Sequence, residues 1–263
     1  MSTEAPKRGW ALVTGASAGI GAEIALRLAR RGHDLVVVAR RGERLAALAE
    51  QARRTYGVQV RGVAADISRD EGRVAVRGML DSLHQPIEVA VLNAGIGTKG
   101  KFIDLDRDGE VREVRLNCVA VVDLASHVLP GMVARGRGDL VVMSSAAASQ
   151  AIPYMSTYAA TKAFEMRFVR GLHHELRGTG VRAFAICPGP VRTAFHRLGW
   201  GKDLPKLMPT ESAGSVAART IRVLNRRRPN PIVPSGPLAP FSMRLSGLLP
   251  ESVAAWGAGI YHR

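Results

Sequence analysis

Cysteine is scarce: Cys118 and Cys187 are the only two in 263 residues. They lie far apart in apolar segments and lack metal-ligand spacing, so they read as reduced core residues and no metal site is expected. No apolar run reaches the roughly 18 to 20 residues that a membrane span needs. The start, MSTEAPKRGW, has no apolar stretch of the roughly 7 to 15 residues found in a signal peptide. A cytoplasmic protein is therefore expected. Zinc-finger, RNP and basic-zipper patterns are absent, so no nucleic-acid partner is expected. Acidic residues are also few, 22 against 37 Lys and Arg, giving a formal charge of +15. That balance fits an anionic partner such as a nucleotide phosphate, an acyl-CoA or a lipid surface, and it fits equally a genome that favours arginine codons. There is no composition break and no internal repeat. With 46% hydrophobic residues, one domain over 1–263 can bury a sizeable core.

What is present alternates between short apolar runs and helix-like segments. Trp10 to Val13 is a strand-like run that leads into Gly15-Ala16-Ser17-Ala18-Gly19-Ile20-Gly21 and a helical stretch from Ala22 to Arg31. Strand, glycine loop and helix make a dinucleotide-binding turn, in which the backbone approaches a pyrophosphate and the helix N-terminus favours its charge. The spacing here is G-x-x-x-G-x-G rather than G-x-G-x-x-G. Asp34 to Ala39 reads as a buried parallel strand and ends in Arg40-Arg41. No acid stands at that strand end to bind a ribose 2′-hydroxyl, whereas arginine accommodates a 2′-phosphate, which favours NADP(H). Two solvated arginines opening a helix would look the same.

Further strands are expected at Val58 to Ala64, Ile87 to Leu92, Asp139 to Met143 and Val181 to Ile186, with a short seventh at Ile232-Val233. Helices are expected at Glu43 to Arg54, Arg69 to Leu83, Leu105 to Arg135, Tyr154 to Arg177 and Thr210 to Asn225. This rhythm predicts an α/β fold of the Rossmann type: a doubly wound parallel sheet of about seven strands with helices on both faces. Ligands in such sheets bind beyond the carboxyl ends of the strands, where the glycine loop, Arg40, Asp66, Asn93, Ser145 and Pro188 all fall. The core would cover about 9–193 and 210–235. Residues 194–209 mix apolar side chains with glycines, as either a mobile lid over a hydrophobic substrate or a surface helix-loop would. A C-terminal extension covers about 236–263.

The most informative stretch runs from Ser145 to Lys162. Tyr158 and Lys162 stand at i and i+4 in a run of good helix formers, which puts a phenol and an ammonium on one helical face. An ammonium beside a phenol favours the phenolate, so the tyrosine pKa should fall from about 10 toward neutrality. From Ser212 to Pro250 there is no acid, while Arg219, Arg222, Arg226, Arg227, Arg228 and Arg244 are basic and apolar residues follow. Such a segment suits peripheral contact with an anionic membrane, or else cover for the substrate pocket or a subunit interface.

Together these residues resemble the short-chain dehydrogenase/reductase family in its single-domain form. Thr14-Gly15 with Gly19 and Gly21 is similar to the family's T-G-x-x-x-G-x-G loop, and Asn93-Ala94-Gly95 to its N-A-G turn. Asn117, Ser145, Tyr158 and Lys162 resemble its catalytic tetrad, with thirteen residues from Ser145 to Tyr158; the neighbouring Ser144 does not fit that step. The resemblance implies a cofactor site of Gly15, Ser17, Gly19, Ile20, Gly21, Arg40, Arg41, Asp66, Ile67, Asn93, Ala94, Gly95, Pro188, Gly189, Val191 and Thr193, shared with Tyr158 and Lys162. It implies NADP(H), with Arg40 resembling the NADPH-preferring branch. It implies hydride transfer to or from a hydrophobic ketone or secondary alcohol, and a homodimer or homotetramer. It implies that Tyr158 moves the proton, that Lys162 lowers its pKa, that Ser145 holds the carbonyl oxygen and that Asn117 holds a water. The alternative is a catalytically silent NADP(H)-binding regulatory protein.

Overall fold

A computed structural model describes residues 8–193, 195 and 209–262. Seven strands form one sheet in the order β3-β2-β1-β4-β5-β6-β9. They are β1 (Arg8–Thr14), β2 (His33–Ala39), β3 (Val60–Ala64), β4 (Ile87–Leu92), β5 (Gly138–Met143), β6 (Val181–Pro188) and β9 (Ile232–Ser235). All of their pairings are parallel. The chain winds outward from β1 to β3, returns to the other side of β1 at β4, and winds outward again. The crevice at that reversal lies at the carboxyl ends of β1 and β4, which run into Gly15 and Asn93.

Alternation along each strand sorts the core into two layers. Leu35 and Val37 of β2 face one side with Ala11 and Val13 of β1. Val36 and Val38 face the other with Trp10 and Leu12. The first layer is closed by α1 (Gly19–Ala29), α2 (Gly42–Tyr56) and α7 (Ala213–Leu224). The second is closed by α3 (Asp70–Asp81), α5 (Ala120–Ala134) and α6 (Ser156–Glu175). Both faces being covered explains why β2 is apolar almost throughout rather than alternating.

Several boundaries differ from expectation for local reasons. Gly57 caps α2 in the left-handed region, φ +68°, so β3 begins at Val60 and not Val58. Tyr154 also has φ +68°, which no helical residue adopts, and α6 therefore begins at Ser156. The long helix expected around Asn117 is made of α4 (Arg107–Val114), a π turn (Arg115–Val119) and α5. By length and composition the stretch Arg107–Ala134 is long and apolar enough to cross a membrane. Here it closes the core through Val121, Leu124 and Val128, and its Asp123 pairs with Arg73 and Arg77. A second, two-stranded sheet joins β7 (Val191–Arg192) to β8 (Glu211–Ser212), which the sequence did not announce. After β9 the chain forms α8 (Ala239–Ser246) and α9 (Glu251–His262). The lid expected at 194–209 lies outside the described residues apart from Phe195 and Pro209.

Candidate active site

The helix α6 presents Tyr158 and Lys162 to the end of β5, and both are buried. The Lys162 ammonium lies 5.9 Å from the centre of the Tyr158 ring. It donates to the Met143 carbonyl at 3.0 Å and to Glu165 Oε1 at 2.9 Å. Ser145 follows β5 directly. It is hydrogen-bonded to Tyr158, and its hydroxyl accepts from the Ala147 amide at 3.1 Å. Ser144 points the other way and donates to the Lys162 carbonyl at 2.9 Å, which ties α6 to β5.

Asn117 occupies the π turn and is fully buried. Such turns shift the register of a helix by one residue and are frequent at functional sites. Its side-chain oxygen accepts from the Ile96 amide at 3.1 Å, and its nitrogen donates to the Ile96 carbonyl at 2.9 Å and to Thr161 at 3.0 Å. The side chain thus pins the turn after β4 to α6. A methyl at Gly95 would lie 3.3 Å from both the Asn117 oxygen and the Lys162 nitrogen, so the turn, the asparagine and the lysine meet at one point.

The electrostatics correct one expectation. Burial pushes the Tyr158 hydroxyl above its usual pKa, and the opposing pulls of Lys162 and Ser145 do not reverse that. Glu165 and Glu113 add to the upward push. Lys162 is itself held above its usual value: burial works against its charge, but Glu165 and Tyr158 outweigh burial. The sequence displayed the lysine but not the complete desolvation, which disfavours the phenolate.

Two further residues belong to the site and were missed by sequence reasoning. Glu113 receives hydrogen bonds of 2.9 Å from the Thr98 amide and hydroxyl, and burial pushes it up to about 7. Gly97 backs the tyrosine. A methyl there would stand 2.7 Å from the Tyr158 ring and 3.1 Å from Phe195, closer than carbon atoms approach without displacement. Gly97→Ala should therefore lower kcat roughly tenfold through a tilted Tyr158, with cofactor affinity unchanged, since a 1 Å misplacement costs up to about 10²-fold. Steady-state kinetics beside a cofactor-binding titration checks this. Equal loss in both would mean general disruption.

The cofactor residues expected from the sequence gather around β1. Gly15 has φ +69°, open to glycine without strain, and a methyl there would meet the Asn93 amide nitrogen at 2.7 Å. At Gly21 a methyl would meet the Gly15 carbonyl at 2.5 Å. Asn93 Nδ2 donates to the Thr14 carbonyl at 2.9 Å, and the Asn93 and Ala94 amides donate to the Thr14 hydroxyl at 2.9 and 3.0 Å. These contacts hold the loop flat against the β4 turn. Ile20 packs on the core, and α1 starts after Ala18 with no side-chain cap, leaving its first amides for an outside acceptor.

Arg41 donates to Ser17 Oγ at 2.8 and 3.2 Å, bringing the second strand end to the glycine loop. Burial and the nearby Arg44 and Arg40 charges pull its guanidinium below the usual value, a crowding that an anion would relieve. Asp66 is partly buried, which opposes its charge, but hydrogen bonds from the Ser68 hydroxyl and amide and the Arg40 charge hold its pKa low. Ile67 beside it is buried. Pro188 ends β6, the Gly189 amide donates to the Ser235 carbonyl at 3.1 Å, and Val191 pairs with Glu211. A methyl at Gly19 would lie 3.3 Å from Thr193, so this segment closes on the glycine loop from the other side. The glycine cradle, uncapped helix start and arginine pair fit a dinucleotide carrying a phosphate on its ribose.

A family model described as short chain dehydrogenase matches residues 9–199. An uncharacterized oxidoreductase of Myxococcus xanthus is 36% identical over 213 residues, which are 80% of this chain and 83% of that one. A very-long-chain 3-oxoacyl-CoA reductase of Anas platyrhynchos is 32% identical over 80% of this chain and 70% of its own. Among solved structures, a short-chain dehydrogenase from Sphingobium yanoikuyae in complex with NADPH superposes with a TM-score of 0.80 at 35% identity, over 86% of this chain and 87% of that chain. The chain belongs to the short-chain dehydrogenase/reductase family and is an oxidoreductase acting on carbonyl or hydroxyl groups.

Proposed function

We propose that the protein is an NADPH-dependent reductase of hydrophobic ketones, with Asn117, Ser145, Tyr158 and Lys162 as its catalytic residues. The observation that carries this reading is the buried Tyr158 hydroxyl, hydrogen-bonded to Ser145 and faced by the Lys162 ammonium. NADP(H), when bound, supplies or accepts the hydride. The glycine loop with Asp66, Ile67, Asn93, Ala94 and Gly95 holds it from one side, and the 188–193 segment from the other. Ser145 donates to the substrate oxygen as charge develops there, and Tyr158 delivers the proton. Lys162 takes up the charge left on the tyrosine. Asn117 keeps the β4 turn and α6 in register; its side chain is engaged with Ile96 and Thr161, so any water it holds would bond to its backbone. A tyrosine held in its protonated form favours reduction as the working direction.

The walls around the tyrosine support a hydrophobic substrate. Ile152, Met155 and Ala159 form a cluster with Tyr158, joined by Phe195 and by Ala258 of α9. The 3-oxoacyl-CoA reductase relative makes oxoacyl chains the first class to try, followed by steroid-like ketones. NADPH oxidation across ketones of graded chain length and ring size tests the reading. Tight NADPH binding with no turnover on the whole panel would leave the regulatory alternative.

We read residues 1–263 as one cytoplasmic domain. Val111, Val114, Val119 and Val122 along α4–α5 and Phe164 on α6 are apolar and exposed, which suits the face of a homodimer or homotetramer. Light scattering at micromolar concentration should give at least a dimer, and a monomer would refute this. Phe241, Leu248 and Trp256 are also exposed, at 67%, 82% and 71%, beside Arg244. This supports peripheral contact with anionic lipid. Cosedimentation with anionic but not neutral vesicles, weakened by salt, is the expected result. The packing of Ala258 against the tyrosine cluster equally serves the protein's own pocket.

A further inference from the structure

A buried carboxylate lies beneath the catalytic pair and has no part in the steps above. Glu165 follows Lys162 by three residues on α6, and the two side chains are 1% and 4% exposed. Their ion pair spans 2.9 Å. An apolar residue would pack this helix against the sheet at less cost, because desolvating a carboxylate is expensive and is tolerated only where a partner compensates. The partner here is the one ammonium the reaction needs. Around the carboxylate stand Lys162 and Tyr158 on α6, Glu113 on α4, Cys118 in the π turn, Ser144 after β5 and Cys187 on β6. Glu113 is engaged by Thr98, and both thiols are pushed up by burial, Cys118 to about 11 and Cys187 to about 12, so they stay neutral. Glu165 is therefore the direct counter-charge to Lys162.

We propose that Glu165 is a positioning residue for proton transfer: its carboxylate anchors the Lys162 ammonium and offsets that charge at Tyr158, so the tyrosine is kept as a proton donor. This rests on the roles given above to Tyr158 and Lys162. Two opposite charges 2.9 Å apart act on a third group as a dipole, much weaker than the ammonium alone. Burial, against the pull of Lys162, pushes the Glu165 carboxyl up to about 7, so the offset is complete above neutrality and fades as pH falls. The site then favours carbonyl reduction at neutral to mildly alkaline pH, where a tyrosine next to a bare ammonium would begin to lose its proton.

The test is a pH titration of Tyr158 in the full-length protein, free and with NADP+. It is read as tyrosinate absorbance after subtracting a matched protein carrying Tyr158→Phe. The pH profile of ketone reduction is measured alongside. In Glu165→Gln the tyrosine midpoint and the alkaline limb of reduction should both move down by about one unit. Glu165→Asp keeps the charge and should stay close to the parent. A purely structural role would lower activity in both variants at every pH and move neither midpoint. Should Glu165→Gln fail to fold, Glu165→Ser leaves room for a water beside the ammonium and is read in the same way. An unmoved or raised midpoint in a folded neutral variant overturns the proposal. The absorbance titration needs no turnover: a shifted midpoint in a protein inert to every ketone would refute the function and keep this inference, whereas normal turnover with an unshifted midpoint would refute this inference alone.

Discussion

Tyr158→Phe is expected to leave fold and NADPH binding intact and to reduce ketone turnover by at least about 10²-fold, the low end for a lost acid-base group. The substitution removes one oxygen and keeps the ring. That ring packs with Ile152, Met155 and Ala159 and lies 5.8 Å from the Phe195 ring, contacts that phenylalanine preserves. Losing the hydrogen bond to Ser145 costs about 1 kcal/mol, small beside a domain stability of about 5 to 15 kcal/mol. The Ser145 hydroxyl still accepts from the Ala147 amide, so the oxyanion contact keeps its orientation. The loss should therefore fall on kcat with the thermal midpoint and NADPH affinity nearly unchanged. Full turnover in the variant would remove Tyr158 from the mechanism.

Replacing Arg40 and Arg41 together by alanine should erase a preference for NADPH over NADH of about tenfold to a hundredfold, the worth of a charge-assisted hydrogen bond. Arg41 already reaches across to Ser17 of the glycine loop, and Arg40 lies within electrostatic range of Asp66. A 2′-phosphate would thus meet two guanidinium groups and no carboxylate at the strand end. NADH, which lacks that phosphate, should lose little in the variant. The ratio of kcat/KM for the two cofactors reads the effect directly, and a ratio of one in the parent protein would sink the assignment.

The sheet was legible because each buried parallel strand is a near-continuous apolar run ending in a residue of distinct chemistry. Val36 to Ala39 running into Arg40-Arg41 and Val89 to Leu92 running into Asn93 are the plainest cases. The spacing of Tyr158 and Lys162 likewise placed them on one face. What escaped was set by contacts across the fold. The charge state of Tyr158 depends on burial from every side and on Glu165, which on its own reads as an ordinary acid on a helix. The π turn at Asn117 leaves no mark in helix propensity, since all of its residues suit an α-helix. Gly97 looks like one more glycine after N-A-G, and its importance appears only once the Tyr158 ring is seen against it.

The central place of β1 has a consequence for synthesis. As the chain emerges, β1, β2 and β3 are complete by Ala64, yet the inner edge of β1 meets its partner only when Ile87–Leu92 has been made. At roughly 5 to 20 residues per second that interval lasts about a few seconds. During it Ala11, Leu12 and Val13 present unpaired amides and carbonyls on a fully apolar strand, an open template for another chain. The first half of the sheet is therefore no self-sufficient unit, and a product released between β3 and β4 would be prone to aggregate rather than to persist as a folded half.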